Sequence, residues 1–581
     1  MPNTVAELQT LLAAERAAAE QRIAELEKDR DHLRASHERL RQELELFKRR
    51  LFIAKAERVD TKQLEMEFAD KLRELDAAAG TLGLAADGDE PDQADDDTKA
   101  RDGKKRGKRK NNVGTGRRDL RELPLEEERI EISDPLLEKL VEEGKVVRHG
   151  FDHSYKLAHK RGGKRRVLIA RVRYKAVDPQ GNTDVITTPM PSEMLPGAIA
   201  APSLGAHVIM ENIGKGLPLF RIEDSFARDG VHIGRGTLSR WKKLVGDRLA
   251  QTVVHAMHAH ALATAFCIST DATGVCVQPI YGEVQGRQPC KKGHFLVQIA
   301  DKDHILFEYL ERETSANVST AFFGFSGYVQ ADAKSVFDVL FGDVDTVRRR
   351  KDDVAADGCA RTEVACWQHC RKGFWEAAVS KSAVGREGLA RIGRIFQLDA
   401  SWRDKPPAER KRLRDLHLRP HLAGFFAWVD EQRALFKEQR GYVRSALEYT
   451  HNQRDALLRF LDDGKLVLTN NRSERAIKSV VLGRRAWLFC GSDDHAKSTA
   501  ALYSIVCSAR LHGIEPEEYI RCLIRLVPLW PNDRMLELAP LFWARTRARL
   551  DPVALTEELG PISIPLEPLD TTMTAEQQAA D

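Results

Sequence analysis

The stretch Phe266-Cys-Ile-Ser-Thr-Asp271-Ala-Thr-Gly-Val-Cys-Val277 decides the fold, together with Gly327-Tyr-Val-Gln-Ala-Asp332-Ala333 further along the chain. The first run is apolar and β-branched on both sides of one acid, which predicts a buried central strand. In the second run the acid comes directly after the apolar residues. Each run therefore predicts a strand that carries one isolated carboxylate, Asp271 or Asp332.

Between these two strands the sequence predicts a hairpin and a short helix. Strand-like runs at 294–299 and 304–309 are joined by the turn-like Asp301-Lys302-Asp303. A helical segment follows at 317–325. The predicted order is strand, hairpin, helix, strand.

This order resembles the ribonuclease-H-like nucleotidyl transferases, in which a third acid lies on a later helix. The candidate is Glu474, in Leu468-Thr-Asn-Asn-Arg-Ser-Glu474-Arg-Ala-Ile-Lys478. We expect Asn470 or Asn471 to cap this helix, and its buried side to consist of Ile477, Val480 and Val481. Glu474 and Lys478 would then share one helix face.

The resemblance implies a metal site in which Asp271, Asp332 and Glu474 are both the ligands and the catalytic residues. Three carboxylates can hold two Mg²⁺ ions, for which Mn²⁺ can substitute. One ion would activate water or a DNA 3′-hydroxyl, and the other would stabilise the leaving oxygen of an in-line displacement at phosphorus.

The same residues carry a more specific resemblance, to the transposases of the insertion sequence 66 family in the DDE class. The matching motifs are Thr270-Asp-Ala-Thr273, Gln330-Ala-Asp-Ala-Lys334, Asn470-Asn-Arg-Ser-Glu-Arg-Ala476 and Gly483-Arg-Arg-Ala-Trp-Leu-Phe489. Two positions depart from the family pattern. Ala272 stands where the family has a second acid, which leaves Asp271 as the acid of that motif, and Lys334 replaces the family's tyrosine.

Composition indicates a soluble, multidomain protein. The chain has 581 residues, 42% hydrophobic and 31% charged, and its 91 Lys and Arg against 87 Asp and Glu leave a net charge of only +4. Overall charge therefore does not predict a nucleic-acid partner, and local clusters must be considered. The nine cysteines lack paired spacing, and the sequence shows neither a membrane-length apolar run nor a signal peptide. We expect a bacterial cytoplasmic, nucleoid-associated protein with reduced thiols.

Residues 1–82 are predicted to form a coiled-coil helix. Leu26, Leu33, Leu40 and Phe47 recur every seven residues. A coiled coil needs a second set of apolar heptad positions, and Arg30 and His37 interrupt that set. The pattern favours a homo-oligomer, although a helix that folds back on its own chain has the same periodicity.

Residues 83–118 change to an acidic run followed by basic residues, which predicts a disordered linker. Such a linker can be a solvated tether, or it can bind DNA phosphates with an affinity that falls as salt increases. Its candidate DNA-binding residues are Lys104, Lys105, Arg106, Lys108, Arg109 and Lys110.

Family members usually carry a zinc module with paired cysteines at 119–200, but this chain has no cysteine before Cys267. Strand-like runs remain there, such as Arg165-Arg-Val-Leu-Ile-Ala-Arg-Val-Arg-Tyr174. The prediction is a small β-containing module without zinc, held by packing alone.

Residues 201–260 predict a helical module similar to a helix-turn-helix. Gly230 fits the turn and Thr237 is the expected cap of the second helix. Arg240, Lys242 and Lys243 would then be available to DNA phosphates. An ordinary helical pair packed on the catalytic domain is the alternative, because short matches of this kind are weak evidence.

A fifth strand and a helix are predicted around Glu363-Val-Ala-Cys-Trp-Gln-His369-Cys-Arg371-Lys-Gly-Phe374, which resembles another family motif. A zinc site at Cys366 and Cys370 is rejected, because no complementary ligand pair follows. His369 and Arg371 are instead candidates for phosphate contacts or for structural roles. Arg475 and Lys478, beside Glu474, are further candidates for DNA contacts.

The predicted fold is multidomain α/β, with a ribonuclease-H-like mixed-sheet catalytic core, an all-α insertion, an N-terminal coiled coil and a helical DNA-binding module. Beyond residue 260 the expected boundaries are 261–380 with 465–498 for the core, 381–464 for the insertion, 499–560 for a C-terminal helical domain and 561–581 for a tail.

The predicted activity is that of a DNA transposase that binds its element ends and the target DNA, and accessory proteins encoded by the same element are further candidate partners. Two alternatives are a catalytically silent, coiled-coil DNA-binding regulator or scaffold, and a metal-dependent nuclease of the same superfamily.

Overall fold

The computed structural model describes Arg22 and residues 120–572, except 122, 124, 161–162, 178–182, 280–289, 342–356, 381 and 438–440. The predicted coiled coil, the charged linker and the basic residues at 104–110 lie outside the described residues.

A small β-rich module begins the described chain. Its elements are β1 (Glu126–Ile132), α1 (Pro135–Glu142), β2 (Val146–Lys160), β3 (Gly163–Val177) and β4 (Thr183–Thr187). The sheet order is β1-β3-β2, with β4 also paired to β3, and β1 is parallel to β3 whereas β2 and β4 are antiparallel to it. Buried Tyr174 of β3 donates a 2.6 Å hydrogen bond to Glu138 of α1 and accepts one from the Asp134 amide. This bonding fixes α1 against the sheet.

Helices follow the β-rich module. They are α2 (Pro202–Ile209), a π-helical turn (Met210–Gly214), α3 (Leu219–Arg228), α4 (Arg235–Leu249), a second π-helical turn (Ala250–Val254) and α5 (His255–Thr264). Gly230 has a φ of 75°, which a glycine adopts without strain, and it forms the turn between α3 and α4. The expected cap at Thr237 is wrong, because α4 begins at Arg235 with Gly234 as its N-cap, which leaves Thr237 inside the first turn.

The central sheet carries Asp271 within one strand and Asp332 directly after another. Its elements are β5 (Cys267–Val277), β6 (Lys291–Ala300), β7 (His304–Leu310), α6 (Ser315–Ala321), β8 (Gly327–Ala331) and β9 (Arg361–Ala365). The strand order is β7-β6-β5-β8-β9. Strands β5, β6 and β7 are antiparallel neighbours, whereas β8 and β9 run parallel to β5.

The helix α6 starts and ends earlier than predicted. The Thr314 side chain caps its start by accepting from the Asn317 amide. Phe322 and Phe325 lie fully buried beyond its end, where Gly324 turns the chain with a φ of 84°. The spacing of these two buried residues fits a helix, which is why the sequence predicts a helix as far as residue 325. Such spacing indicates which residues are buried, but it does not show where the backbone leaves the helix.

An all-α insertion with its own core follows β9. It contains α7 (Trp367–Val379), α8 (Ala383–Ala400), α9 (Pro407–Leu413), a π-helical turn (Arg414–Leu418), α10 (Arg419–Leu435), α11 (Tyr442–Asn452) and α12 (Arg454–Leu458). Trp367 is fully buried among the rings of Phe425, Phe426 and Phe460, and its indole donates to the Leu457 carbonyl. The aromatic cluster joins the start of α7 to the rest of the insertion.

The last helices are α13 (Asn471–Trp487), α14 (Asp493–Leu511), α15 (Pro516–Leu526), α16 (Pro540–Ala548) and α17 (Pro552–Thr556). Helix α14 covers the edge strand β7, because the hydroxyls of Ser504 and Ser508 accept from the Phe307 and Ile305 amides. The mixed α/β character predicted from the sequence is confirmed. Within the described part of the chain, every helix is too short or too polar to cross a lipid bilayer.

A half-buried carboxyl on β7, that of Glu308, leads to a prediction about stability. Burial raises the pKa of Glu308 from 4.5 to about 7. A carboxyl whose pKa is higher in the folded than in the unfolded protein stabilises the fold fully at a pH below its unfolded-state pKa. This stabilisation is lost as the pH rises to the folded-state pKa, which for Glu308 means between pH 4.5 and about pH 7. Glutamine at 308 does not ionise, so the variant should not lose this stabilisation. Because one pKa unit is worth about 1.4 kcal/mol, the free energy of unfolding of Glu308→Gln should rise by about 3 kcal/mol relative to that of the parent between about pH 4 and about pH 8.

Urea unfolding at both pH values measures this difference. Glu311→Gln is the matched control, since Glu311 is exposed near the end of the same strand. The urea midpoint of the parent should fall relative to that of Glu308→Gln as the pH rises. If it does not fall, Glu308 does not have the raised pKa in the folded protein.

Candidate functional site

Asp271 lies in the middle of β5, the central strand of the sheet. Its side chain is largely buried, and Oδ1 accepts a 2.7 Å hydrogen bond from the Ala272 amide. Burial raises the pKa of Asp271, the Lys334 ammonium opposes this effect, and the Asp332 carboxylate adds to it. A carboxylate in such a place needs a nearby cation to remain ionised at low cost.

Asp332 immediately follows β8, which is the parallel neighbour of β5. The chain turns there, with the Lys334 amide donating to the Asp332 carbonyl. Lys334 Nζ then lies 3.3 Å from Asp332 Oδ2 and 3.5 Å from Asp271 Oδ1. The structure therefore brings these two sequence-predicted acids to a single ammonium group.

Glu313 is a third carboxylate at this place, and sequence reasoning missed it. Its Oε1 lies 3.6 Å from Lys334 Nζ, and its Oε2 lies 3.7 Å from His294 Nε2 on β6. Burial alone would lower the pKa of Lys334, but Asp332, Asp271 and Glu313 together raise it. The available signal was weak, because Glu313 follows β7 in the polar run Glu311-Arg-Glu313 and does not stand alone like the other two acids.

Several polar atoms near Asp271 or Lys334 are buried and lack a hydrogen-bond partner. Among the described residues they include Asp332 Oδ1, Glu313 Oε1, His294 Nδ1 and His369 Nδ1. Buried acceptors without donors cost free energy, and two of these atoms are carboxylate oxygens. Oxygen-rich, negatively charged surroundings of this kind fit the ligand preference of Mg²⁺.

The helix that carries Glu474 is attached directly beside Asp271. The Asn470 side chain donates a 2.7 Å hydrogen bond to the Thr270 carbonyl, and the Asn470 amide donates to Cys366 Sγ at 3.2 Å. Asn470 is the N-cap residue by position, but its side chain makes no capping bond, which corrects the expected cap. Glu474 lies half-buried in the first turn of α13.

Cys366 connects the start of the Glu474 helix, through the Asn470 amide, to the start of α7. Burial raises the pKa of the Cys366 thiol, and Glu474 acts in the same direction. Cys366 directly precedes α7, and His369 in the first turn of α7 lies close enough to Asp271 to lower its pKa. The start of α7 thus connects the surroundings of Asp271 with those of Glu474.

The other candidates for DNA contacts differ in how far their charges are exposed. Arg240, Arg371, Arg475 and Lys478 are exposed. Lys243 is paired with Asp247 at 2.5 Å on its own helix. Lys242 points inward, since its ammonium donates to Asn212 Oδ1 at 3.0 Å and burial lowers its pKa. The interpretation of Lys242 as a phosphate contact therefore does not fit, because its charge is enclosed by protein.

Comparison with curated proteins finds distant relatives in Sinorhizobium fredii (strain NBRC 101917 / NGR234). The uncharacterized protein y4hP is 24% identical over 385 residues, which are 62% of this chain and 65% of the relative. The uncharacterized protein y4qI is 22% identical over 374 residues, which are 62% of this chain and 66% of the relative. The chain thus spans just under two thirds of the length of these two relatives.

No solved structure matches the chain. The family model described as "Transposase IS66 family" matches residues 197–498, which include β5, β8, the helical insertion and the start of α14. The match covers more than half of the chain and contains Asp271, Asp332 and Glu474. The chain therefore belongs to the IS66 family of transposases.

Proposed function

We propose that the chain is the DNA transposase of an insertion sequence, which binds the ends of its element, hydrolyses phosphodiesters and transfers 3′-hydroxyls to target DNA. The observation that carries this proposal is the approach of Asp271 and Asp332 to one ammonium group, beside the start of the Glu474 helix. Membership of the family supports the same reaction class.

The sheet supports a ribonuclease-H-like core. Three antiparallel strands, β7, β6 and β5, are followed by two strands parallel to β5. In this arrangement the acid of β5 and the acid after β8 lie on neighbouring strands. The order of elements agrees with the pattern by which such nucleotidyl transferases bring acids from distant parts of the chain to one site.

In the proposed site Asp271, Asp332 and Glu474 hold Mg²⁺, and Glu313 supplies a fourth carboxylate. Bound magnesium would activate the attacking oxygen and stabilise the leaving oxygen. Among the described residues, Lys334 faces three of these carboxylates with its ammonium, and its side chain is 40% exposed. Its ammonium can therefore turn toward solvent when a metal ion binds.

The proposed DNA contacts surround this site and extend along the chain. Arg371, Arg475 and Lys478 are exposed on α7 and α13, close to His369 and Glu474, and Arg240 is exposed on α4. The basic residues at 104–110 would add contacts to phosphates that do not depend on sequence. Binding that relies on phosphates weakens steeply as salt increases.

One observation favours a second candidate, a catalytically silent DNA-binding scaffold. Lys334 stands where the family has a tyrosine, and its ammonium lies where a divalent cation would neutralise the same carboxylates. A lysine that held this place permanently would prevent metal-dependent cleavage while it left DNA binding intact.

The substitution Asp271→Asn separates chemistry from binding. The amide keeps the shape of the side chain but lacks the charge that attracts a metal ion. Affinity for element-end DNA should change little, whereas Mg²⁺-dependent cleavage should fall by about 1,000-fold, since metal activation contributes several kcal/mol. Gel-shift and cleavage assays on the same end fragments measure the two effects.

Asp404→Asn is the matched control, because Asp404 is exposed in the helical insertion. Asp332→Asn and Glu474→Gln should behave like Asp271→Asn, and combining the three should add little further loss. Cleavage that survives in Asp271→Asn rules out the proposed site. A parent protein that binds authentic ends but never cuts them with Mg²⁺ or Mn²⁺ supports the scaffold.

Removing the ammonium of Lys334 tests whether it competes with a metal ion. Lys334→Met should bind Mn²⁺ roughly tenfold more tightly, because the ion no longer has to displace an ammonium that pairs with the same carboxylates. Without metal the same variant should melt at a lower temperature than the parent, since three carboxylates lose their common counter-charge. Calorimetric titration and thermal unfolding measure these opposite effects.

The control for this variant is Lys437→Met, an exposed lysine of the helical insertion. Mn²⁺ affinity that is equal in the parent, Lys334→Met and Lys437→Met would contradict a metal ion held by Asp271 and Asp332 beside Lys334.

Self-association through the predicted coiled coil is tested by deletion. The full chain should sediment as an oligomer, and a chain that lacks residues 1–82 should sediment as a monomer, because the heptad repeat supplies the interface. A full chain that is already monomeric would favour a helix that folds back on its own chain.

A further inference from the structure

Outside the site of the isolated acids, three metal-ligand side chains from distant parts of the chain meet. His159 is near the end of β2, His207 is in α2, and Glu517 is in the first turn of α15. One ligand atom from each side chain lies within 4.8 Å of the others. All three residues are half-buried.

The contacts within this cluster converge on one oxygen. Glu517 Oε1 lies 3.1 Å from His207 Nδ1 and 3.7 Å from His159 Nε2. The two imidazole rings are stacked, with centroids 3.6 Å apart and planes inclined by 11°. The His159 amide donates to Ser203 Oγ at 2.8 Å, which holds the end of β2 against the start of α2.

The cluster leaves one potential ligand atom unsatisfied. His159 Nδ1 is buried and has no hydrogen-bond partner. A buried polar atom without a partner costs free energy, and a bound ion would remove that cost.

We propose that His159, His207 and Glu517 bind one Zn²⁺ ion. Two imidazole nitrogens and one carboxylate form a ligand set that suits zinc and not magnesium, which prefers oxygen. A water molecule can complete the coordination, because the cluster borders a solvent-open groove. The stacked rings must tilt apart, since an ion binds in the plane of each ring.

This site differs in its ligands from the zinc module that the family carries at 119–200. The absence of cysteine there excludes a thiolate site, but it does not exclude one built from histidine and glutamate. A zinc ion would link β2 of the β-rich module to α2 and to α15. These three elements come from separate parts of the chain, so the ion would stabilise their tertiary packing.

The test uses the full chain, stripped with a chelator and then titrated with Zn²⁺ in excess Mg²⁺, which keeps oxygen-rich sites filled. The parent should take up one more equivalent of Zn²⁺ than His207→Gln or Glu517→Gln and should melt at a higher temperature with zinc than without it. Loss of one ligand should weaken binding by about 100-fold or more. Elemental analysis and thermal unfolding measure these differences.

Co²⁺ in place of Zn²⁺ provides a second readout that does not depend on activity. In the parent, the visible absorption of bound Co²⁺ should have the high intensity of a four-coordinate site. This intensity should be lost in His207→Gln. His153→Gln is the matched control, because His153 is exposed on the same strand as His159. Metal-free melting temperatures of all variants reveal any variant that fails to fold, and Glu517→Gln then replaces His207→Gln in the comparison.

Equal zinc uptake and equal Co²⁺ spectra in the parent, His207→Gln and Glu517→Gln would overturn the proposal. The three side chains would then form only a hydrogen-bonded pair of His207 and Glu517 with a stacked His159.

Discussion

The buried side chain of Asn470 is the contact on which the arrangement of the acids depends. Strand β8 pairs with β5 only as far as Ser269, so the next carbonyl, that of Thr270, has no partner from β8. Asn470 donates to this carbonyl at 2.7 Å and is 1% exposed. A buried carbonyl without a donor would cost about 1–3 kcal/mol, and Asn470 supplies the donor at the residue where α13 begins.

The neighbouring contacts make the same attachment rigid. Gln330 of β8 donates to the Val467 carbonyl at 2.7 Å, and the Trp367 amide donates to the Leu468 carbonyl at 2.9 Å. Residues 467–470 are therefore bonded to β8, to β5 and to the start of α7. Each of these elements also carries a residue of the candidate site or directly precedes one, so the same hydrogen bonds that hold the segment 467–470 against the sheet also position these residues.

The helical insertion braces this segment from the other side. Arg414 is fully buried, pairs with Asp399 at 2.8 Å, and donates to the carbonyls of Phe460, Asp463 and Leu466. A buried charge that loses its partner destabilises a protein by about 3–5 kcal/mol. Among the described residues of the insertion, Arg414 is the only fully buried arginine. Its hydrogen bonds hold the chain that leads to Asn470 and α13. The insertion therefore helps to position α13 and does not only separate Asp332 from Glu474 in the sequence.

The sequence by itself determined the mixed α/β character, the central strand with Asp271, the strand before Asp332 and the helix with Glu474, because alternation and helical periodicity report local burial. Motifs in these elements also determined the family. Only the tertiary structure decided that Glu313 faces Lys334, that Lys242 points inward to Asn212, and that His159, His207 and Glu517 meet. Local pattern does not distinguish one polar residue from the next, and their convergence depends on strand pairing and helix packing between residues that are far apart in the chain.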